Sequence, residues 1–230
     1  MCTVTYLPIN KDNFILTSNR DVPYAREKAV LPQKYVENDI ELFYPKDGKA
    51  GGTWIGISSK NRLICALNGG FDNHKSRESY KKSRGKIVLD LLRSDCIEIE
   101  LNKIDLHDIE PFTFIIIDWN EDLKLTEFVW DGVKKHLKKL PQKPLIWSSS
   151  TLYTNDVKNM RKKWFTDWQY NHDFNQKSIL KFHHKAGIGD DNIDVVLKRK
   201  MVGTVSITSV MKNEMDVNMY YEDIAIKSKK

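Results

Sequence analysis

Cys2 is the residue with the most chemistry open to it. Initiator methionine is usually removed when a small residue follows, and cysteine qualifies. The new first residue then carries a thiol and a free α-amine together. Reference pKa values are about 8.5 for the thiol and about 8 for the amine, so the amine can take the proton of its own side chain. That is a nucleophile–base pair within one residue. A neighbouring arginine favours the thiolate further. The segment Thr17-Ser18-Asn19-Arg20-Asp21 supplies one. If the opening strands pair, Asn19 to Asp21 come near Cys2 across a hairpin, with Arg20 holding the thiolate and Asp21 orienting the amine. Neither element demands this reading alone. A second-position cysteine can simply open a strand, and an Asn-Arg-Asp turn is often a cap or a surface ion pair.

The elements that must position these residues read as follows. Cys2–Tyr6 and Phe14–Ser18 are β-prone runs around the turn residues 8–13. Thr53–Ile57 is a strand after Gly51-Gly52, and Arg62–Leu67 is its hairpin partner. Ile87, Val88, Leu91 and Leu92 predict a helix over Lys86–Arg93. Glu98–Ile109 is a second helix, closed by Pro111. Phe112–Ile117 and Lys124–Trp130 are strands, with a third near Gly132–Lys138. A short apolar run leads from Pro144 into Ser148-Ser149-Ser150. Val157, Met160, Trp164 and Trp168 fall on one face of a helix over Asp156–Tyr170, and Ser178–His184 extends the helical region. Thr204–Val210 and Val217–Tyr221 close the chain as a hairpin. Strands come in hairpin groups between helices, which predicts an α+β fold with mostly antiparallel sheet.

Bulk properties bound the function. A chain of 230 residues can bury one sizeable core, so a single domain over 1–230 is expected. No apolar run is long enough to span a bilayer. The opening residues lack a basic region and an apolar stretch, which argues against a secretory signal and for the cytoplasm. Three widely spaced cysteines (Cys2, Cys65, Cys96) suit reduced thiols and no zinc. The net charge of +6 is spread along the chain without a nucleic-acid-binding signature, so no specific nucleic-acid partner is expected. His183-His184 lacks a third ligand and reads as polar helix surface. Asp190-Asp191 lacks a calcium-loop ligand series. Trp164 and Trp168 read as core, and Cys65 as a buried strand thiol. The sequence leaves the oligomeric state open.

Met1-Cys2-Thr3-Val4 together with Thr17-Ser18-Asn19-Arg20-Asp21 resembles the opening of the NRDE family, which includes the proteins named for Transport and Golgi Organisation. Val22 stands where the family motif has glutamate. Gly51-Gly52-Thr53-Trp54-Ile55-Gly56, Leu67-Asn68, Ser83-Arg84-Gly85 and Gly203-Thr204 with Ser206–Val210 resemble further family segments in order, so the likeness runs from Cys2 to about Val210. The family resembles the cholylglycine-hydrolase-like N-terminal nucleophile hydrolases. That resemblance implies a four-layer αββα sandwich and hydrolysis of a non-peptide linear amide, without cofactor or metal. It implies Cys2, Arg20, Asp21 and Asn68 as catalytic residues, with Asn68 as oxyanion donor, and Asn19, Ser149 and Trp54 as binding residues. Asn68 reads equally well as a turn residue before Gly69-Gly70. Ser149 stands where relatives carry an oxyanion asparagine, and Val205 where they often carry arginine. These departures leave a second expectation open: a non-catalytic pocket protein for a small hydrophobic ligand such as haem or an acyl lipid.

Overall fold

The computed structural model describes residues 3–224. Its contacts divide the chain into two compact units. One comprises the described parts of Met1–Arg26 and Gln142–Lys230, and the other is Glu27–Pro141.

The first unit is a five-stranded antiparallel sheet with a helical layer. Its strands are β1 (Thr3–Pro8), β2 (Phe14–Pro23), β10 (Leu145–Ser148), β11 (Val202–Asn213) and β12 (Asp216–Asp223), in the order β10-β1-β2-β11-β12. The β1–β2 turn is closed by Asn10, whose Oδ1 accepts from the backbone N–H groups of Asp12 and Asn13. The Oδ1 of Asn13 accepts from the N–H of Glu214, a positive-φ residue in the turn between β11 and β12. Helices α3 (Asn155–Asn171) and α4 (Gln176–Lys185) are capped by Thr154 and Asn175, whose side chains accept from the third N–H beyond. Leu7 and Ile15 of the sheet pack with Phe165, Trp168, Ile179, Phe182 and Val195.

The second unit is a seven-stranded meander: β3 (Val30–Glu37), β4 (Ile40–Lys46), β5 (Ile55–Ser58), β6 (Arg62–Asn68), β7 (Phe112–Asp118), β8 (Lys124–Trp130) and β9 (Lys135–Leu140). Helices α1 (Arg84–Arg93) and α2 (Ile97–Lys103) share its core. Fully buried Arg62 pairs with Asp118 at 3.0 Å and donates to the carbonyls of Leu91 and Ser94, closing the last turn of α1.

The opening, Thr53–Leu67 and closing hairpins form near the expected bounds. Three strands add to the sequence reading: β3, β4 and β10. The β3–β4 pair turns on Asn38 and Asp39, both at positive φ, a two-residue hairpin turn. Helix α2 stops at Lys103, short of Ile109. The carboxylate of Asp105 accepts from the N–H of His107, and Asp108 has φ of 58°, so the chain turns while Leu106 and Ile109 still enter the core. Strand β9 starts later than expected because Asp131 accepts from the N–H groups of Val133 and Lys134, with Gly132 at φ of 100°.

Two glycine motifs far apart in sequence are one contact. A Cβ on Gly52 would lie 2.3 Å from the carbonyl carbon of Gly85, and one on Gly85 would lie 2.9 Å from the Thr53 nitrogen. The Thr53 N–H donates to the Gly85 carbonyl at 3.2 Å. Backbone meets backbone here, which only glycine allows. Gly52→Ala is expected to cost about 1–3 kcal/mol of stability, as overpacking does. Urea denaturation of the two proteins side by side checks this.

Candidate active site

Strand β1 runs between β2 and β10, with Thr3 opposite Asn19 on one side and opposite Ser148 on the other. The chain immediately after Cys2 is thus flanked by the Asn19-Arg20-Asp21 segment and by the approach to Ser149. Cys2 itself lies outside the described residues.

Side chains alternate across a strand. On the helix-facing side of β1 and β2, Leu7 and Ile15 are apolar, whereas Thr3, Thr5, Thr17, Asn19 and Asp21 are polar, and all seven are buried. Burying polar groups is costly unless each is hydrogen-bonded. The carboxylate of Asp21 accepts from the Tyr153 hydroxyl at 2.9 Å and from Thr204 Oγ1 at 2.6 Å. Thr204 Oγ1 in turn accepts from the Leu197 N–H. The Nδ2 of Asn19 donates to the carbonyls of His183 (3.1 Å) and Val195 (2.9 Å), which fixes the amide's orientation. Its Oδ1 therefore accepts from His183 Nδ1 at 2.6 Å, and His183 Nε2 accepts from the Thr5 hydroxyl at 2.8 Å.

His183 corrects the sequence reading. It is fully buried rather than polar helix surface. Its neighbour His184 is partly exposed and pairs with Glu222 at 3.0 Å. Burial, with the nearby positive charges of His184 and Arg161, pushes the His183 pKa down to about 3.

Arg161 was not singled out from sequence, yet it is among the largest fully buried side chains. It donates to Thr3 Oγ1 at 2.6 Å, to the Ile193 carbonyl at 2.9 Å and to the Asp194 carbonyl. Its guanidinium lies 3.7 Å from the centroid of the Tyr153 ring, the residue that donates to Asp21. The buried face of α3 is Arg161, Phe165 and Trp168; Met160 is only half-buried.

Arg20 is buried on the opposite face of β2 by alternation, and pairs in register with Ser206. Asp21 pairs with Thr204, so Val205 falls at a bulge in β11. Ser149 is buried, and its hydroxyl shares a hydrogen bond with Thr151 Oγ1 at 3.0 Å. Thus Asn19, Arg20, Asp21 and Ser149 gather around β1 in the first unit. Trp54 and Asn68 belong to the second. Trp54 is buried and its carbonyl accepts from Ala66 N–H. Asn68 ends β6 opposite Phe112, half-buried, before Gly69 at φ of 83°.

A cleft of about 480 Å³ opens between α3 and α4, lined by residues including Trp164, Trp168, His172 and Lys181. None of the described site residues expected from sequence lines it. Among the described residues no three His, Cys, Asp or Glu side chains group as a metal site, and no helix is long and apolar enough to cross a membrane.

Comparison with solved structures defines the class. The chain is similar to a Caenorhabditis elegans ortholog of N-acylethanolamine-hydrolyzing acid amidase, with TM-score 0.60 and 12% identity over 90% of this chain and 92% of that one. A variant of conjugated bile acid hydrolase from Clostridium perfringens gives TM-score 0.55 and 12% identity over 96% and 92%. Penicillin V acylase from Agrobacterium tumefaciens gives 0.53 and 8% over 97% and 86%. The fold is that of the N-terminal nucleophile hydrolases, in the α+β class expected from the sequence. Within that class the chain belongs to the Transport and Golgi organisation 2 family, which matches residues 1–223. The Mus musculus Transport and Golgi organization 2 homolog is 33% identical over 93 residues, a match covering 38% of this chain and 32% of the mouse protein.

The buried histidine makes a measurable claim. Its pKa is lower in the folded protein than its ordinary value near 6.5, so the unfolded chain binds the extra proton. Its contribution is intact above about pH 6.5 and is lost progressively as pH falls toward about 3. Urea midpoints across that window should fall with acid in the wild type. His183→Gln should be less stable at neutral pH and show a shallower acid dependence.

Proposed function

We propose that the protein is a thiol-dependent N-terminal nucleophile hydrolase that cleaves a linear, non-peptide amide. One observation carries the reading: Asn19, Arg20 and Asp21 form a buried polar run on β2, and the run sits opposite Thr3, the residue bonded to Cys2. Charged side chains are costly to bury in a central strand, and a functional role for them offsets that cost. After removal of Met1, the Cys2 thiolate attacks the amide carbonyl. Its α-amine receives the thiol proton and passes it to the leaving amine, and water then releases the acyl group. Arg20 favours the thiolate. Asp21, held by Tyr153 and Thr204, orients the amine. The oxyanion calls for a hydrogen-bond donor beside Cys2. Asn19, with its amide committed to α4 and the 195 segment, supports the strand. Ser149, just after the end of β10, borders the acyl pocket. Reduced thiols suit a cytoplasmic setting.

The names of the structural neighbours support a substrate class with an acyl group on nitrogen: N-acylethanolamines, conjugated bile acids and penicillin V. The first test is intact mass, which should show loss of Met1. A panel of those three amide types should then yield at least one substrate, with Cys2→Ala reducing turnover by about a thousandfold or more. Retention of Met1, or equal turnover by Cys2→Ala, rejects the mechanism.

Ser149 favours a second reading. Its hydroxyl is bonded to Thr151, where an oxyanion asparagine would be longer and free to donate. A missing oxyanion donor costs about a hundredfold to a thousandfold in rate. On this reading the pocket holds a hydrophobic ligand such as haem or an acyl lipid without turning it over. Ligand binding unchanged in Cys2→Ala, with no amide cleaved, selects it.

A further inference from the structure

Among the described residues, the fully buried cation under β1 has no counter-ion. Arg161 forms no ion pair among the described residues, and all its hydrogen bonds run to two carbonyls and the Thr3 hydroxyl. An uncompensated buried charge is unfavourable, and a protein keeps one where something else uses its field.

The surrounding ionisable groups do not cancel it. On β2, Arg20 lies on the opposite face, and Asp21, on the same side as Arg161, is held by the Tyr153 hydroxyl and Thr204 and makes no ion pair with it. Asp194 turns its carboxylate to the N–H groups of Ile188 and Gly189. His183 is neutral. Tyr153 presents its ring to the guanidinium and its hydroxyl to Asp21. Lys158, bonded to Ser150, His184 and Arg199 add only positive charge or none. One positive charge is left over at Thr3, whose Cα is covalently about 3.8 Å from that of residue 2.

We infer that Arg161 is a positioning residue for the reaction proposed above: its hydrogen bond anchors the start of β1, and its charge biases the ionisation of residue 2. The inference rests on that hydrolase reading. A fixed positive charge stabilises the thiolate and disfavours the ammonium, so it lowers both pKa values. The amine then rests neutral near neutral pH, free to take the thiol proton as the thiol attacks and to pass it to the leaving amine, and the thiol gives that proton up more readily. At about 10 Å and an effective dielectric of about 20, one charge shifts such a group by about one pH unit.

The test is the pH profile of Cys2 alkylation by iodoacetamide from about pH 5 to 9, followed by peptide mass spectrometry, with exposed Cys96 as the reference thiol in the same sample. Arg161→Gln removes the charge and keeps a donor for Thr3. Arg161→Met removes both, and the profile is read in whichever neutral variant keeps the wild-type circular dichroism. The expected result is a midpoint about one pH unit higher, or about tenfold slower labelling on the acid side. Arg161→Lys should restore the wild-type midpoint, and Thr3→Val, which keeps the charge, should leave it in place. An unmoved midpoint in a folded neutral variant overturns the inference, as does an equal shift in Arg161→Lys or Thr3→Val. If wild-type Cys2 also titrates like Cys96, the hydrolase reading falls with it. If the midpoint moves as stated but no amide is cleaved, the hydrolase reading and the positioning role in it fall, and the effect of the Arg161 charge on residue 2 stands.

Discussion

The first unit depends on one constraint: polar side chains buried between β1, β2 and the helices must all find partners. The chain meets it by division of labour, with the Trp168 indole N–H as an exception that finds no partner among the described residues. Each helix contributes one long polar residue, Arg161 from α3 and His183 from α4, and each reaches a threonine of β1. Asn19 joins the two systems, since its amide binds both the end of α4 and the 195 segment beside Arg161's carbonyl acceptors. Satisfied networks of this kind specify one arrangement, because a slip of register would leave several groups unpaired at once. The position of β1 is therefore set by hydrogen bonds as much as by apolar packing.

The two ends of that strand consequently differ. Near Leu7 and Ile15 the helices meet it through aromatic and aliphatic side chains. Near Thr3 they meet it through donors and acceptors. Apolar contacts tolerate small displacements, whereas hydrogen bonds and a cation–ring contact do not. The more directional end is the one that leads into Cys2, the nucleophile of the proposed reaction, which would have to be held within a narrow range.

Much of this architecture could be read from the residues. The opening hairpin is announced by the turn residues 8–13, and α1 and α3 by their apolar spacing. The Asn19–Asp21 run stands out in the sequence, but as a turn after Phe14–Ser18; β2 instead continues through it to Pro23, with all three side chains buried. The β3–β4 hairpin was missed because it is mostly exposed and its pattern lacks a clear apolar alternation. The buried histidine and arginine were missed for a shared reason. Each is polar at a position where helical periodicity favours an apolar residue, and its partners lie far away in sequence. An odd signal was available in α3: the apolar face contains Phe165 and Trp168, and one turn back from them stands Arg161. Ser149 and Val205 were legible as departures from the family, but not the hydroxyl pair or the bulge into which they fit.

The Gly52–Gly85 contact has an implication for how such chains can change over time. When two side chains clash, shrinking one can accommodate the growth of the other, so their histories are linked. Here an added methyl at either position meets main-chain atoms, which no substitution can shrink. Neither glycine can rescue a change in its partner. Each is expected to stay fixed on its own account, and a suppressor of either substitution must arise from movement of the whole α1 helix rather than from the facing residue.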